Sequence, residues 1–227
     1  MNSLKISIVA ILAGTAGLAS ADTVNLVYQG HSGNLGRDAN VQLSGGVFFQ
    51  DGGSNKTLWA GQLSSSIDGQ SVKTYCTELS QWAGSGVFDV VGVDQAPNPG
   101  GGMGTTKADA IYRLFNATND GADIDSNAKA SAFQAVIWDI VYDYNGSQSS
   151  LDRDSGNVRF LSGIDAGLFS QYAGLAGDLL GDSSAGVIAY TNSSYQDQLG
   201  MQVVPLPGAA AMAALGLGGV AIRRRRA

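Results

Sequence analysis

Cysteine and histidine each occur once in 227 residues, as Cys76 and His31. A lone thiol cannot close an internal disulfide, and one Cys with one His cannot supply the ligand set of an ordinary zinc site, so no metal and no cofactor is expected. Basic residues are also scarce. There are 13 Lys and Arg against 19 Asp and Glu, and four of the thirteen are Arg223, Arg224, Arg225 and Arg226. The rest of the chain is therefore more acidic than the formal charge of -6 indicates, and nucleic acid is not an expected partner. The glycine run 100–104 lacks the Lys and Ser/Thr that complete a phosphate-binding loop, and Asp139, Asp143, Asp152 and Asp154 do not follow calcium-loop spacing.

What is abundant is glycine, 32 residues, in a chain that is 44% hydrophobic and only 14% charged. That balance suits a β-rich globular body with many turns. The first residues read as a targeting segment: Lys5, an apolar run over 6–18, then small residues at Ala19, Ser20 and Ala21. The expected division is a signal peptide over 1–21 cleaved after Ala21, a body over 22–202, and a sorting segment over 203–227. The body, about 180 residues, is long enough for one core without disulfide staples.

Residues 203–222 carry no charge and are followed by Arg223 to Arg226. The run has the length of a membrane-crossing helix, and the arginines form a stop that holds the tail on the cytoplasmic side. Val204-Pro205-Leu206-Pro207, the Gly/Ala/Leu span and the terminal arginines resemble the PEP-CTERM class of sorting signals in its VPLP variant. Leu206 stands where the commoner form has Glu. The resemblance implies export by a Gram-negative bacterium, with signal peptidase and an exosortase as processing partners. It also implies transient anchoring in the inner membrane and final residence at the cell surface or in the extracellular matrix.

Within the body, period-two alternation over 22–50 predicts half-buried strands, and 57–62 (TLWAGQ) and 72–79 (VKTYCTEL) predict two more. Residues 95–104 read as a loop. Thr105 or Thr106 caps a predicted helix to Asn116. The strongest helical pattern runs over 127–144, where Ala130, Phe133, Ile137, Ile140, Val141 and Tyr144 share a face. A looser helix over 165–180 and strands over 186–190 and 199–204 complete the prediction. The expected fold is a single α+β domain, a barrel- or sandwich-like sheet with inserted helices. Trp59 and Trp82 are expected to be core anchors of the β half, and His31, between glycines, an exposed turn residue.

Cys76 has several readings from residue chemistry alone. It can be a small buried hydrophobe in a strand. It can also be a hydrolase nucleophile with His31 as its base, although no local signature accompanies the pair. A third reading comes from Tyr75-Cys76 on a strand and Phe133-Gln134-Ala135-Val136-Ile137-Trp138 on a helix. Together these resemble the thioester domains of bacterial surface adhesins, over about 24–144. The resemblance implies an internal thioester with Cys76 as sulfur donor and Gln134 as acyl donor, surrounded by Tyr75, Phe133, Ile137 and Trp138. It implies a covalent adhesin rather than an enzyme, acylating amines or hydroxyls of a surface or matrix ligand. Phe133 and Val136 occupy places where many members have Thr and Ala. The alternative is a non-reactive surface or biofilm-matrix protein in which Cys76 and Gln134 are only core residues.

Overall fold

The computed structural model describes residues 23–31, 33–98, 101–179, 181 and 186–201. The signal segment 1–21, the sorting motif Val204 to Pro207 and the arginines 223–226 lie outside the described residues. Among the described residues no helix is long and apolar enough to cross a membrane.

The body is β-rich with three helices. Its strands are β1 (Thr23–Gly30), β2 (Gly36–Leu43), β3 (Asn55–Gly61), β4 (Leu63–Ile67), β5 (Gln70–Cys76), β6 (Gly86–Val91), β7 (Pro97–Asn98), β8 (Gly101–Gly102), β9 (Val158–Ser162), β10 (Val187–Thr191) and β11 (Gln198–Met201). The helices are α1 (Gly104–Asn116), α2 (Asn127–Asp143) and α3 (Ala166–Gly177). Six strands close a barrel in the order β1-β4-β5-β11-β10-β6, and β3-β2-β9 form a separate three-stranded sheet. Closure removes unpaired edges from the larger sheet.

Alternation explains most strands. In β2, Ala39, Val41 and Leu43 turn inward and are buried. In β4 the inward positions are Leu63, Ser65 and Ile67, so a serine-rich segment still has a strand period. Ser65 is tolerated inside because it donates to Gln198 Oε1 (3.3 Å), which also accepts from Thr74 Oγ1 (2.6 Å). Around this polar set, Leu26, Ile67, Phe88 and Tyr190 fill the barrel.

Helix α2 is the centre of the larger core. Ser126 caps it, accepting from Lys129 N (3.3 Å). It packs on β2 and β3 on one side and on α3 and α1 on others, and also meets β5 and β9. Every residue from Ala130 to Tyr142 is buried, so the helix has no solvent face, in contrast to the single apolar stripe of its sequence pattern. Phe160 of β9 stacks on Trp138, 6.3 Å between centroids.

Several predicted boundaries move. Of the strands divided by turns expected over 22–50, the second ends at Leu43, because Gly45 and Gly46 adopt positive φ (64° and 83°) and turn the chain. The strand expected to Leu79 stops at Cys76. The α1 N-cap is Met103 without a side-chain bond, not Thr105 or Thr106. The 95–104 loop contains the β7-β8 pair, and β4, β6 and β9 are additional strands. Trp59 is half-buried and Trp82 is 41% exposed, so neither is a core anchor.

Asp139 on α2 is fully buried, and neither carboxylate oxygen makes a hydrogen bond of normal geometry, although the Asp152 backbone and the Asp143 carboxyl lie near enough to act on it. Burial first, and then the carboxylate of Asp143, pushes its pKa up to about 9 from 3.8. The folded state therefore holds a proton that the unfolded chain releases, and stability falls as pH rises between those values. Asp197, raised to about 7 mainly by burial, shares only the lower part of this window. From pH 7 to 9, Asp139→Asn should lose Tm less steeply than the wild type, in which Asp139 contributes a loss of at most about 1.4 kcal/mol of stability per pH unit. Equal slopes in thermal melts would contradict the assignment.

Candidate functional site

Strand β5 delivers Cys76 as its last residue, opposite Gln198 of β11. On its other side β4 begins at Leu63, which pairs with Thr74, so the ladder stops short of Cys76. That would leave the Cys76 N–H and C=O buried without strand partners. Gln134 of α2 takes both: Cys76 N donates to Gln134 Oε1 (2.9 Å), and Gln134 Nε2 donates to Cys76 O (2.8 Å). The carboxamide thus substitutes for a strand neighbour across 58 residues of sequence, and Gln134 is fully buried.

Beyond Cys76 the chain is held from two directions. Thr77 N donates to Asp197 O (3.0 Å) and Leu79 N to the Tyr142 hydroxyl of α2 (2.7 Å). The Cys76 thiol donates to Gln196 Oε1 (2.8 Å), and Gln196 Nε2 donates to Glu78 O. Two carboxamides therefore flank Cys76, Gln134 on its backbone and Gln196 on its sulfur. Gln196 was not visible in the sequence, since it lies in an irregular segment before β11 and belongs to no spaced motif.

The predicted neighbours divide between two sides of the strand. Tyr75 points away from Cys76, as alternation requires. It packs on Phe133 (centroids 4.8 Å) and Phe115 (6.0 Å) and accepts from Gln62 Nε2 (3.2 Å). Phe133 continues this cluster to Tyr172 of α3 (5.7 Å). Ile137 is buried in the main core. Trp138, one turn beyond Gln134, instead lines a cleft of about 210 Å³ together with Cys76 and Gln196.

The cleft also gathers residues that the sequence left apart. Cys76, Gln196, Trp138, Leu63 and Leu79 are its buried members, while His31 and Trp82 are exposed. His31 stacks on Trp59, with centroids 4.5 Å apart and planes at 24°. Room for that indole comes from Gly36, where a Cβ would lie 2.6 Å from Trp59 Cζ2. The only Cys and the only His of the chain thus border one cleft.

The thiol is a poor nucleophile at neutral pH. Burial, and then the Glu78 carboxylate, pushes the Cys76 pKa up to about 12. A Cys hydrolase needs the opposite arrangement, a cation beside the sulfur. Iodoacetamide at pH 7.5 should leave Cys76 unlabelled in the folded protein. Rapid labelling of the native state, read by peptide mass, would contradict the buried, protonated thiol.

No family model and no curated protein matches the chain. Among solved structures it is similar to the N-terminal thioester domain of a surface protein from Clostridium perfringens, at 10% identity, with 81% of this chain and 100% of that chain covered and a TM-score of 0.42.

Proposed function

We propose that Cys76 and Gln134 form an internal thioester, and that the protein is an exported surface or matrix protein that uses this bond to acylate a ligand. The observation that carries the reading is the pair of bonds from the Gln134 carboxamide to the Cys76 backbone, at 2.9 and 2.8 Å. They hold the acyl carbon beside the residue whose sulfur would attack it, without the entropy cost of bringing two free side chains together.

Cys76 Sγ bonds to Gln134 Cδ, the Cδ–Nε2 bond breaks, and the thiol proton leaves with the amide nitrogen as ammonia. An arriving amine or hydroxyl then takes the acyl group, and its proton returns to the sulfur as a thiol. Gln196 accepts from the thiol and fixes the direction of the sulfur before reaction. Cys76 is only 5% exposed and Gln134 is not exposed at all, which keeps bulk water from the bond.

The test is intact mass of the freshly purified body. The wild type should weigh one ammonia less than its sequence. Cys76→Ser and Gln134→Glu should have full mass, whereas Gln196→Ala should keep the deficit. Methylamine should add to Gln134 and liberate the Cys76 thiol. Full mass in undamaged wild type would end the proposal, and loss of the deficit in Gln196→Ala alone would move the acyl donor to Gln196. The inert-matrix alternative requires full mass and no amine adduct.

Export and anchoring are part of the same proposal, supported by the Lys5 to Ala21 segment and by the charge-free run before Arg223. Replacing Arg223 to Arg226 with Ser removes the stop and should mislocalise or release the protein. Unchanged surface display of that variant on cell fractionation would count against the anchor.

A further inference from the structure

We infer that the nucleophile taken by this site is a saccharide hydroxyl, and that His31 is the base that removes its proton; this rests on the thioester reading above. The first ground is charge. Among the described residues, no carboxylate lines the cleft. Glu78 accepts from Ser80 Oγ and, at 3.5 Å, from Asp197 N. Asp51 is committed to Lys56, whose ammonium lies 4.6 Å from the Trp82 ring centroid. An alkylammonium entering the cleft would be desolvated with no carboxylate on the lining to pair with, since Glu78 acts on Cys76 from outside the lining and is already hydrogen-bonded, whereas a neutral alcohol has no such penalty.

The second ground is shape and polarity. Trp59 and Trp82 give the cleft aromatic surface, against which the C–H faces of a sugar ring can pack. Trp138 Nε1 is buried without a hydrogen-bond partner, in a residue only 1% exposed that lines the cleft. A buried indole N–H lacking an acceptor is costly, and a ligand hydroxyl that reached it would supply one. At about 210 Å³ the cleft is smaller than the roughly 300–1,000 Å³ of drug-sized pockets, so it admits one ring or chain end rather than a whole oligosaccharide.

The third ground is the base. A hydroxyl is a weak nucleophile until its proton is taken, while the neutral fraction of an amine attacks unaided. Among the cleft residues, the other acid-base side chains are unsuited to that work. Tyr28 is raised by burial and by Cys76, and the Cys76 thiol is held protonated. His31 remains, exposed, stacked on Trp59 and able to meet a ligand as it enters. In the transfer, the hydroxyl oxygen bonds to Gln134 Cδ and the Cδ–Sγ bond breaks. The proton passes from hydroxyl to His31 and then to the departing sulfur, giving an ester and a free thiol.

The experiment follows the mass of the purified body with methyl α-glucoside and, separately, with methylamine, for wild type, His31→Ala and His31→Gln. Wild type should form an ester adduct with the glucoside. In both variants the ratio of glucoside uptake to methylamine uptake should fall by about 100-fold or more, the usual contribution of a general base. A merely structural His31 would slow both reactions together and leave the ratio unchanged, which overturns the inference. Wild type that shows the mass deficit and takes methylamine but never the glucoside also overturns it, leaving the thioester intact. Wild type of full mass overturns both.

Discussion

The carboxamide of Gln134 stands where a seventh strand segment would otherwise be needed. Strand β5 outruns its neighbour β4 by the length of Tyr75 and Cys76, and the exposed end of the ladder is buried rather than solvated. Each unpaired buried backbone group would cost about 1–3 kcal/mol, so one side chain making both bonds stabilises the junction of barrel and helix by more than its size suggests. Because Gln134 sits on a helix with no solvent face, it cannot turn away to water. The packing of α2 between the three-stranded sheet and α3 therefore fixes the position of an acyl carbon relative to a sulfur.

The same burial controls reactivity. It holds the thiol protonated, with a pKa near 12, and gives the sulfur a neutral acceptor, Gln196, in place of a cation. Such a sulfur suits a protected intramolecular bond better than turnover of free substrates. Cys76 borders a cleft whose buried lining includes Gln196 and Trp138 and whose exposed lining includes His31 and Trp82. Loosening α2 would leave the strand end unsatisfied and, under the proposed thioester, would also admit water to the bond.

The parts legible in the sequence were those written in local periodicity. Ser126, the spacing of α2 and the Tyr75-Cys76 and Gln134 to Trp138 motifs gave the central helix and the pair that the fold brings together. Strand β4 escaped because Ser64, Ser65 and Ser66 hide a period of two that only the barrel's internal hydrogen bonds make tolerable. The end of β5 at Cys76 depends on Asp197, 120 residues away, taking the N–H of Thr77. Gln196 and the His31–Trp59 stack depend likewise on long-range placement of loops, for which no sequence pattern exists. The full burial of α2 was hidden because a stripe at helical spacing does not reveal what covers the remaining faces.

The central claim is that the Gln134 carboxamide is not simply a structural bridge but one half of a covalent bond. A crystal structure of the freshly purified body, at a resolution that distinguishes bonded from touching atoms, addresses it most directly. The account predicts continuous density from Cys76 Sγ to Gln134 Cδ, with no Nε2 and the acyl oxygen still near Cys76 N. Separate density for an intact carboxamide donating to Cys76 O, beside a thiol directed at Gln196, would contradict it.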